Sequence, residues 1–499
     1  MVPARADLLT SWTRGAESWE LAFDDAARKN FERLRDPRAR IVVTGQQPGF
    51  LGGPLYSIYK AVTAIALAAR LEREQGVPWI PVFWIASEDH DLDEVRKVSF
   101  PAEEAMTFSV SLPHSADRRP LSSYAVDEAV LDVVHRVTQQ FVGRPHRNCV
   151  DALVGSYVEG RSLASAFGAL ISELFSSQGL LVVAPEWLRS LARPVVARAL
   201  NAPHEIGDAI ERGIQEVKGR GLRAQVGSRF PLFFFERTGG VPRRQHLTPV
   251  DGGFRVDGSE RFLSTEEAND ILEKSPESYS TGVLLRPIVQ QATLPVGLAV
   301  GGPAELSYFS QLGDLFRLFE LPATPITIRM HATLIEGKIG RALRRVDSLD
   351  QILETLPRAS EARDLISPDA NRDTRADMVS LRTDLSERLT EILDRALHGV
   401  PVSGDQERRL RRAGEKIAGE LQRLQTRLDR LAATANGERL QAARTVWNTL
   451  FPDNVQQERH WNVLYYLAKY GSEWIDLLID DVLESGDTVS HRWIFLEND

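Results

Sequence analysis

Cysteine is almost absent: Cys149 is the single one in 499 residues. That excludes a disulfide framework and any multi-cysteine zinc site, and it fits a reducing compartment, so the cytoplasm is the expected location. A long apolar run is missing as well. Nothing spans the roughly 18 residues that a membrane helix requires, and the opening MVPARADLLTSW has no apolar segment behind its one Arg. The expectation is a chain neither exported nor embedded. A surplus of positive charge is also lacking, with 60 Lys+Arg against 69 Asp+Glu for a net charge of −9. Neutralising phosphates needs excess cations on some face, so nucleic acid is not an expected partner.

Aromatic residues are missing from one long stretch. None lies between Phe319 and Trp447, where the overall 8% content would place about ten. The apolar residues that remain there, Met378, Leu381, Leu385, Leu389 and Ile392, then Leu410, Ile417, Leu421, Leu424, Leu428 and Leu431, step mostly by three and four. That is the spacing of a coiled-coil seam. Between the two runs sits His398 to Asp405, whose Gly and Pro end one helix and whose Ser403 or Asp405 can cap the next. Residues 371 to 446 therefore read as an antiparallel helical hairpin that projects from the body. Its narrow seam suits pairing with a second copy, so a homodimer through this arm is expected.

What is present before residue 330 is a different texture. The chain's length allows two to four domains, since single cores stop growing at roughly 250–300 residues. Ile41 to Thr44 reads as a buried strand, and Leu55, Ile58, Tyr59, Val62, Ile65, Ala66 and Ala69 trace one helical face ending at Gly76. Pro78 to Ala86 returns as a strand, with pairing expected only after Pro81. Strand, glycine turn, helix and strand make the βαβ unit of a parallel sheet. The alternation recurs with a helix stripe at Leu163–Leu174, a strand at Leu180–Ala184, a strand around Leu298–Val300, a helix from about Ala304 to Phe319 and a strand at Ile326–Ile328. Residues 221–262 read instead as inserted antiparallel hairpins. After the arm, helices are expected from about Gln456 to Lys469 and over Glu473–Leu483, with a terminal strand His491–Leu496. The implied division is an α/β core over 1–330 with insertions at about 100–160 and 221–280, a helical arm over 331–450, and a closing segment over 451–499 that packs back on the core.

Ligands of open α/β sheets sit at the carboxyl ends of strands. Three polar clusters fall there. In Thr44 to Pro54 the loop TGQQPGFLGGP lets backbone approach a ligand at Gly45 and Gly49, with Gln46 and Gln47 as polar groups; neither the P-loop nor the GxGxxG spacing is present. Ser87-Glu88-Asp89-His90-Asp91 follows an apolar strand. Its carboxylates and imidazole can supply a general base, hold an ammonium or ligate a cation, and a metal is left open because one His need not converge with them. Lys60 is a candidate counter-charge. In the third cluster Gly301, Gly302, Glu305 and Tyr308 open a helix, with Arg286 and Gln290 upstream. A fourth element around Gln457-Glu458-Arg459 reads as packing or interface rather than catalysis.

Together, Thr44–Tyr56 (TGQQPGFLGGPLY), Val82–Asp91 (VFWIASEDHD), Leu285–Gln290 (LRPIVQ), Gly301–Tyr308 (GGPAELSY) and Gln457–Arg459 (QER) resemble the marks of the bacillithiol biosynthesis cysteine-adding enzymes, the BshC family. The resemblance runs from about residue 30 to the end. It implies an α/β fold with a Rossmann-like parallel-sheet core resembling class I aminoacyl-tRNA synthetases, with connecting insertions and a coiled-coil arm used for dimerisation. The implied activity joins the carboxyl group of L-cysteine to the amino group of glucosaminyl-malate, the last step of bacillithiol synthesis. Two departures bear on peripheral contacts: only 43 residues precede Thr44, and Pro185-Glu186 stands where relatives are expected to carry Asp.

Amide formation from a carboxylate needs an activated acyl group, so ATP or an equivalent nucleotide is expected, adenylation being the simplest form by analogy. No HIGH or KMSKS string is present, which leaves phosphates to glycine amides with Lys60 or Arg side chains. In this picture Glu88, Asp89, His90 and Asp91 are the catalytic candidates, accepting the attacking amine's proton or binding an ammonium. Gly45, Gln46, Gln47, Gly49, Lys60, Gln290, Gly301, Gly302, Glu305 and Tyr308 line the binding site, and Arg286 meets the malate carboxylates. Two other classes remain open: a different nucleotidyl- or acyl-transferring enzyme on the same core, and a coiled-coil scaffold with a degenerate pocket.

Overall fold

The computed structural model describes residues 3–21, 23–92, 95–102, 105–112, 118–365, 371–398 and 403–496. Two compact units emerge, one of residues 1–333 and 457–494, the other of 334–456 and 495–499.

The first unit is built on a five-stranded sheet. Its labelled elements are β1 (Arg40–Gln46), α1 (Leu55–Gln75), β2 (Trp79–Ile85), α2 (Leu163–Leu174), β3 (Leu181–Val183), α3 (Arg189–Asn201), α4 (Arg286–Thr293), β4 (Val296–Gly301), α5 (Pro303–Phe309) and β5 (Ile326–Ile328). The order β5-β4-β1-β2-β3 is parallel throughout. Such sheets are covered on both faces, and β2, flanked on both sides, is buried at every residue. Pairing along β2 begins at Trp79, ahead of the start set by its prolines, with Val42 opposite Pro81. Pro81 is tolerated because β3 joins only from Val82, so at Pro81 the strand has a neighbour on one side alone.

Burial of α1 is broader than one helical face. Leu55 and every residue from Ser57 to Ala68 are buried, Lys60 among them, because the helix packs on β1 and β2 and is covered by the helix Glu473–Ser485. The stretch read as one helix after β4 is two, α5 and Gly313–Leu318, broken at Ser310–Leu312. Near Gln456 the helix is shorter than its periodicity indicates: one 3-10 turn spans Gln457–Arg459, and the α-helix begins at Val463, capped by the Asn462 side chain on the Leu464 amide. The terminal strand His491–Leu496 forms as read.

Between β3 and β4 an antiparallel sheet is inserted. Its order is Tyr279–Thr281, Leu232–Thr238, Val241–Val250, Gly253–Val256 and Phe262–Ser264. This insertion brings Arg244 and Ser280 towards the carboxyl ends of the parallel strands.

The second unit holds α6 (Gly337–Val346), α7 (Asn371–Leu397) and α8 (Gly404–Leu450). Arg411 reaches Asp394 at 2.8 Å, a pairing that makes α7 and α8 an antiparallel hairpin. Ser403 caps α8 by accepting from the Gln406 amide, while Gly399 to Val402 of the expected turn lie outside the described residues. Towards its far end α8 packs on α6, where Arg439 donates twice to the Val346 carbonyl at 3.0 and 2.8 Å. Leu381, Ile392, Leu410, Ile417 and Leu424 are 44–55% exposed, as a two-helix seam without a third surface requires. Among the described residues no helix is long and apolar enough to cross a membrane.

Candidate active site at the strand ends

All five parallel strands deliver polar groups at their carboxyl ends. A narrow pocket there is lined by Gly45, Gln46, Arg286, Gln290, Gly301, Glu305 and Tyr308 with apolar residues of β1, β2 and β4; its cavity volume is only about 30 Å³, and it opens to solvent. Two glycines keep it open. A Cβ on Gly45 would meet the Trp84 carbonyl at 2.7 Å, and one on Gly301 would meet the Glu305 Cβ at 2.7 Å.

Lys60 sits under this pocket and is only 4% exposed. Its ammonium donates to the Gly45 carbonyl at 2.8 Å and the Gln46 Oε1 at 2.9 Å, and pairs with Glu305 at 2.6 Å. Burial lowers its pKa from the ordinary lysine value, and Glu305 opposes that shift. Lys60 is thus not the counter-charge of the acidic loop. It reaches the opposite wall because α1 runs back beneath β1, so its length is spent on β1 carbonyls and on α5. Glu305 is more than a dipole-favoured residue: its carboxylate also accepts from the Gly302 amide at 2.7 Å.

The acidic loop divides by residue. Glu88 is buried and wholly engaged, paired with Arg189 of α3 and accepting from Ser280 Oγ at 2.5 Å. Asp89 accepts from Gln47 Nε2 at 2.7 Å and from the His90 amide at 2.9 Å. Burial would raise its pKa, but Arg286 and Arg244 outweigh this and hold it below the usual carboxylate range. His90 lies 3.4 Å from Arg244, and burial followed by that guanidinium lowers its pKa, favouring the neutral ring. Asp91 is exposed, and its charge acts on His90. Gln47 Oε1 is buried beside Asp89 with no hydrogen-bond partner among the described residues. Gly49 does not line the pocket; it closes the loop, where a Cβ would meet the Gly53 Cα at 2.7 Å.

Arg286 is the uncommitted charge. It opens α4, its backbone amide donating to the Gly282 carbonyl at 3.0 Å, and its guanidinium makes no ion pair or hydrogen bond with the described residues, although Asp89, Lys60 and Tyr308 all respond to its charge. Two neighbouring arginines, Arg244 and Arg329, are spent on bonds within the protein. Arg244 is buried over the Phe233 ring at 3.9 Å and donates to Ser280 and to the Thr281 carbonyl, its pKa lowered to about 10 by burial. Arg329, just past β5, grips Glu458 with two hydrogen bonds of 2.9 and 2.5 Å. Burial would raise Glu458, yet His331 and Arg329 pull it down to about 2. Glu186, after β3, accepts from Ser87 Oγ at 2.5 Å and is pushed up to about 7 by burial and by Glu88.

Reading by local motif missed Arg189, Arg244, Ser280 and Arg329, because each partner pair is far apart in the chain. Arg329 carried a usable signal, standing one residue beyond a strand whose end should face ligand. Among the described residues no group of three or more His, Cys, Asp or Glu converges as a metal centre.

A parallel doubly covered sheet, a polar pocket at its carboxyl edge and a separate coiled-coil hairpin define a Rossmann-like enzyme with a helical appendage. The chain belongs to the bacillithiol biosynthesis BshC family: its N-terminal Rossmann-like domain matches residues 3–330 and its C-terminal coiled-coil domain matches 332–491. Relatives named "Putative cysteine ligase BshC" include one from Koribacter versatilis, 34% identical over 94% of this chain and 86% of its own length. Others come from Symbiobacterium thermophilum, 32% identical over 95% and 87%, and Salinibacter ruber, 29% over 95% and 86%. A solved structure described as "putative arginyl t-RNA synthetase" from Campylobacter jejuni aligns at 11% identity over 95% of this chain and 99% of its own, with a TM-score of 0.22, too loose to carry argument.

Proposed function

We propose that this ligase forms an amide between the carboxyl group of L-cysteine and the amino group of glucosaminyl-malate, in the cytoplasm and as a homodimer paired through the α7–α8 hairpin. The observation that carries the reading is Arg286, an uncommitted guanidinium set among Asp89, Lys60 and Tyr308 at the strand ends of a BshC-family chain. Such a group suits the paired carboxylates of malate, which guanidinium binds in a fork.

The new C–N bond forms as the sugar amine attacks the cysteinyl carbonyl carbon, and the bond from that carbon to its leaving group breaks. A bound ATP or equivalent nucleotide supplies the leaving group that a free carboxylate lacks. The donor set suits an anionic ligand, since Arg286 offers charge where Lys60 is already neutralised by Glu305. His90, kept neutral by burial and Arg244, accepts the proton that the amine loses. Asp89, kept ionised, and Gln47 Oε1, buried without a hydrogen-bond partner among the described residues, accept from the amine or from the cysteine ammonium. Glu88 acts by position, tying the loop to the inserted sheet through Arg189 and Ser280. Gly45, Gln46, Gln290, Gly301, Gly302, Glu305 and Tyr308 shape the wall.

The test is direct. Pure protein is incubated with ATP, cysteine and glucosaminyl-malate, and product thiol and pyrophosphate are followed by mass spectrometry. Product that requires all three supports the reading; consumption of another amine or acid in place of these two would replace it.

A further inference from the structure

The segment read as packing or interface carries a second uncommitted cation. Arg459 is exposed, and its guanidinium makes no ion pair or hydrogen bond with the described residues; its guanidinium carbon lies 5.8 Å from the centre of the Tyr56 ring. Arg329 stands 5.7 Å from the same ring, but its charge is cancelled by Glu458. The Tyr56 hydroxyl receives a hydrogen bond from Gln46 Nε2 at 3.2 Å, and Gln46 lines the pocket. One ring and one amide therefore separate Arg459 from the pocket.

Its backbone is held firmly. Glu458 is clamped by Arg329, and four residues on, Asn462 donates to the Leu51 and Gly53 carbonyls at 2.9 and 2.8 Å. The Leu55 amide donates to the Trp461 carbonyl at 2.9 Å. Residues 457–462 are thus fastened to the glycine-rich loop after β1, so an exposed side chain starts from a fixed point and loses less freedom when it binds. A guanidinium is strongly favoured where planar oxyanions are recognised.

We infer that Arg459, backed by Tyr56, is an anion-binding arm of the strand-end pocket and takes a carboxylate or phosphate group of the ligand, separately from Arg286. This rests on reading that pocket as the ligase site. The oxyanion belongs either to a dicarboxylate or to the polyphosphate of a nucleotide.

Full-length Arg459→Ala and Arg459→Lys are compared with wild type, with circular dichroism confirming the fold. Each is titrated calorimetrically with L-malate and with inorganic pyrophosphate, and KM and kcat are measured for each substrate. Loss of one charged hydrogen bond should weaken one probe about tenfold or more. The KM of the matching substrate should rise in step, with kcat within about twofold and partial recovery in Arg459→Lys. Weakened malate identifies the dicarboxylate; weakened pyrophosphate identifies the nucleotide. Unchanged binding of both probes, with turnover intact, overturns the arm. A wild type that makes no product but binds a probe more tightly than Arg459→Ala keeps the arm and removes the ligase reading instead.

Discussion

Replacing Glu458 by Gln should cost the Rossmann-like unit about 3–5 kcal/mol at pH 7, because it leaves Arg329, 2% exposed, without its counter-charge. The electrostatic side can be sized separately. The Glu458 carboxyl is held at about 2 rather than 4.5, a depression worth about 3 kcal/mol of folding free energy. Since the folded-state value is the lower one, this stability is fully present above about pH 4.5 and fades as pH falls towards 2. The gap between wild type and Glu458→Gln should close over that same window. Urea unfolding followed by tryptophan fluorescence is the assay, because Trp447 alone lies in the coiled-coil unit and all other tryptophans report on the first. Arg329→Met should cost a similar amount, and the double variant Arg329→Met/Glu458→Leu should recover much of it, as buried pairs replaced by apolar groups often do. A gap under about 1 kcal/mol at pH 7, or one that does not change with pH, would refute the reasoning.

Three further outcomes are expected. Arg286→Ala should raise the KM for the anionic substrate about tenfold or more while leaving the unfolding midpoint unchanged, since this guanidinium makes no bond within the described protein; a midpoint shift without a KM effect would make it structural. The acidic limb of the kcat/KM profile should lie below 6.5, because the His90 pKa is lowered by burial and Arg244; a limb at or above 7 would exclude His90 as the proton acceptor. Glu186, raised to about 7 from 4.5, favours its protonated form in the folded chain, so its contribution weakens the fold as pH climbs from about 4.5 through 7; Glu186→Gln should therefore raise the thermal midpoint more at pH 8 than at pH 5, and equal shifts would contradict this.

Much of the core was legible because its signals are local. Ile41–Thr44 followed by a glycine turn, and the terminal strand His491–Leu496, state their structure in adjacent residues. The site was legible in its pocket, where Gly45, Gln46, Arg286, Gln290, Gly301, Glu305 and Tyr308 converge from three chain segments. Charge pairing was not legible. Lys60 and the acidic loop look like partners by proximity in sequence, but α1 carries the ammonium to Glu305, while the inserted sheet and α3 supply Arg244 and Arg189 to the loop. Pairings of that kind depend on how segments some 100 to 190 residues apart are brought together, as Glu88 with Arg189 and with Ser280 illustrates. The partners of the Gln457–Arg459 turn were hidden for a similar reason, since Arg329, His331 and Tyr56 reach it from distant segments.

The most direct test of the central claim is the thiol content of cells that lack this protein. Bacillithiol should disappear and glucosaminyl-malate accumulate, with the thiol restored by the wild-type chain and not by Arg286→Ala. Normal bacillithiol in the deletion strain would contradict the assignment.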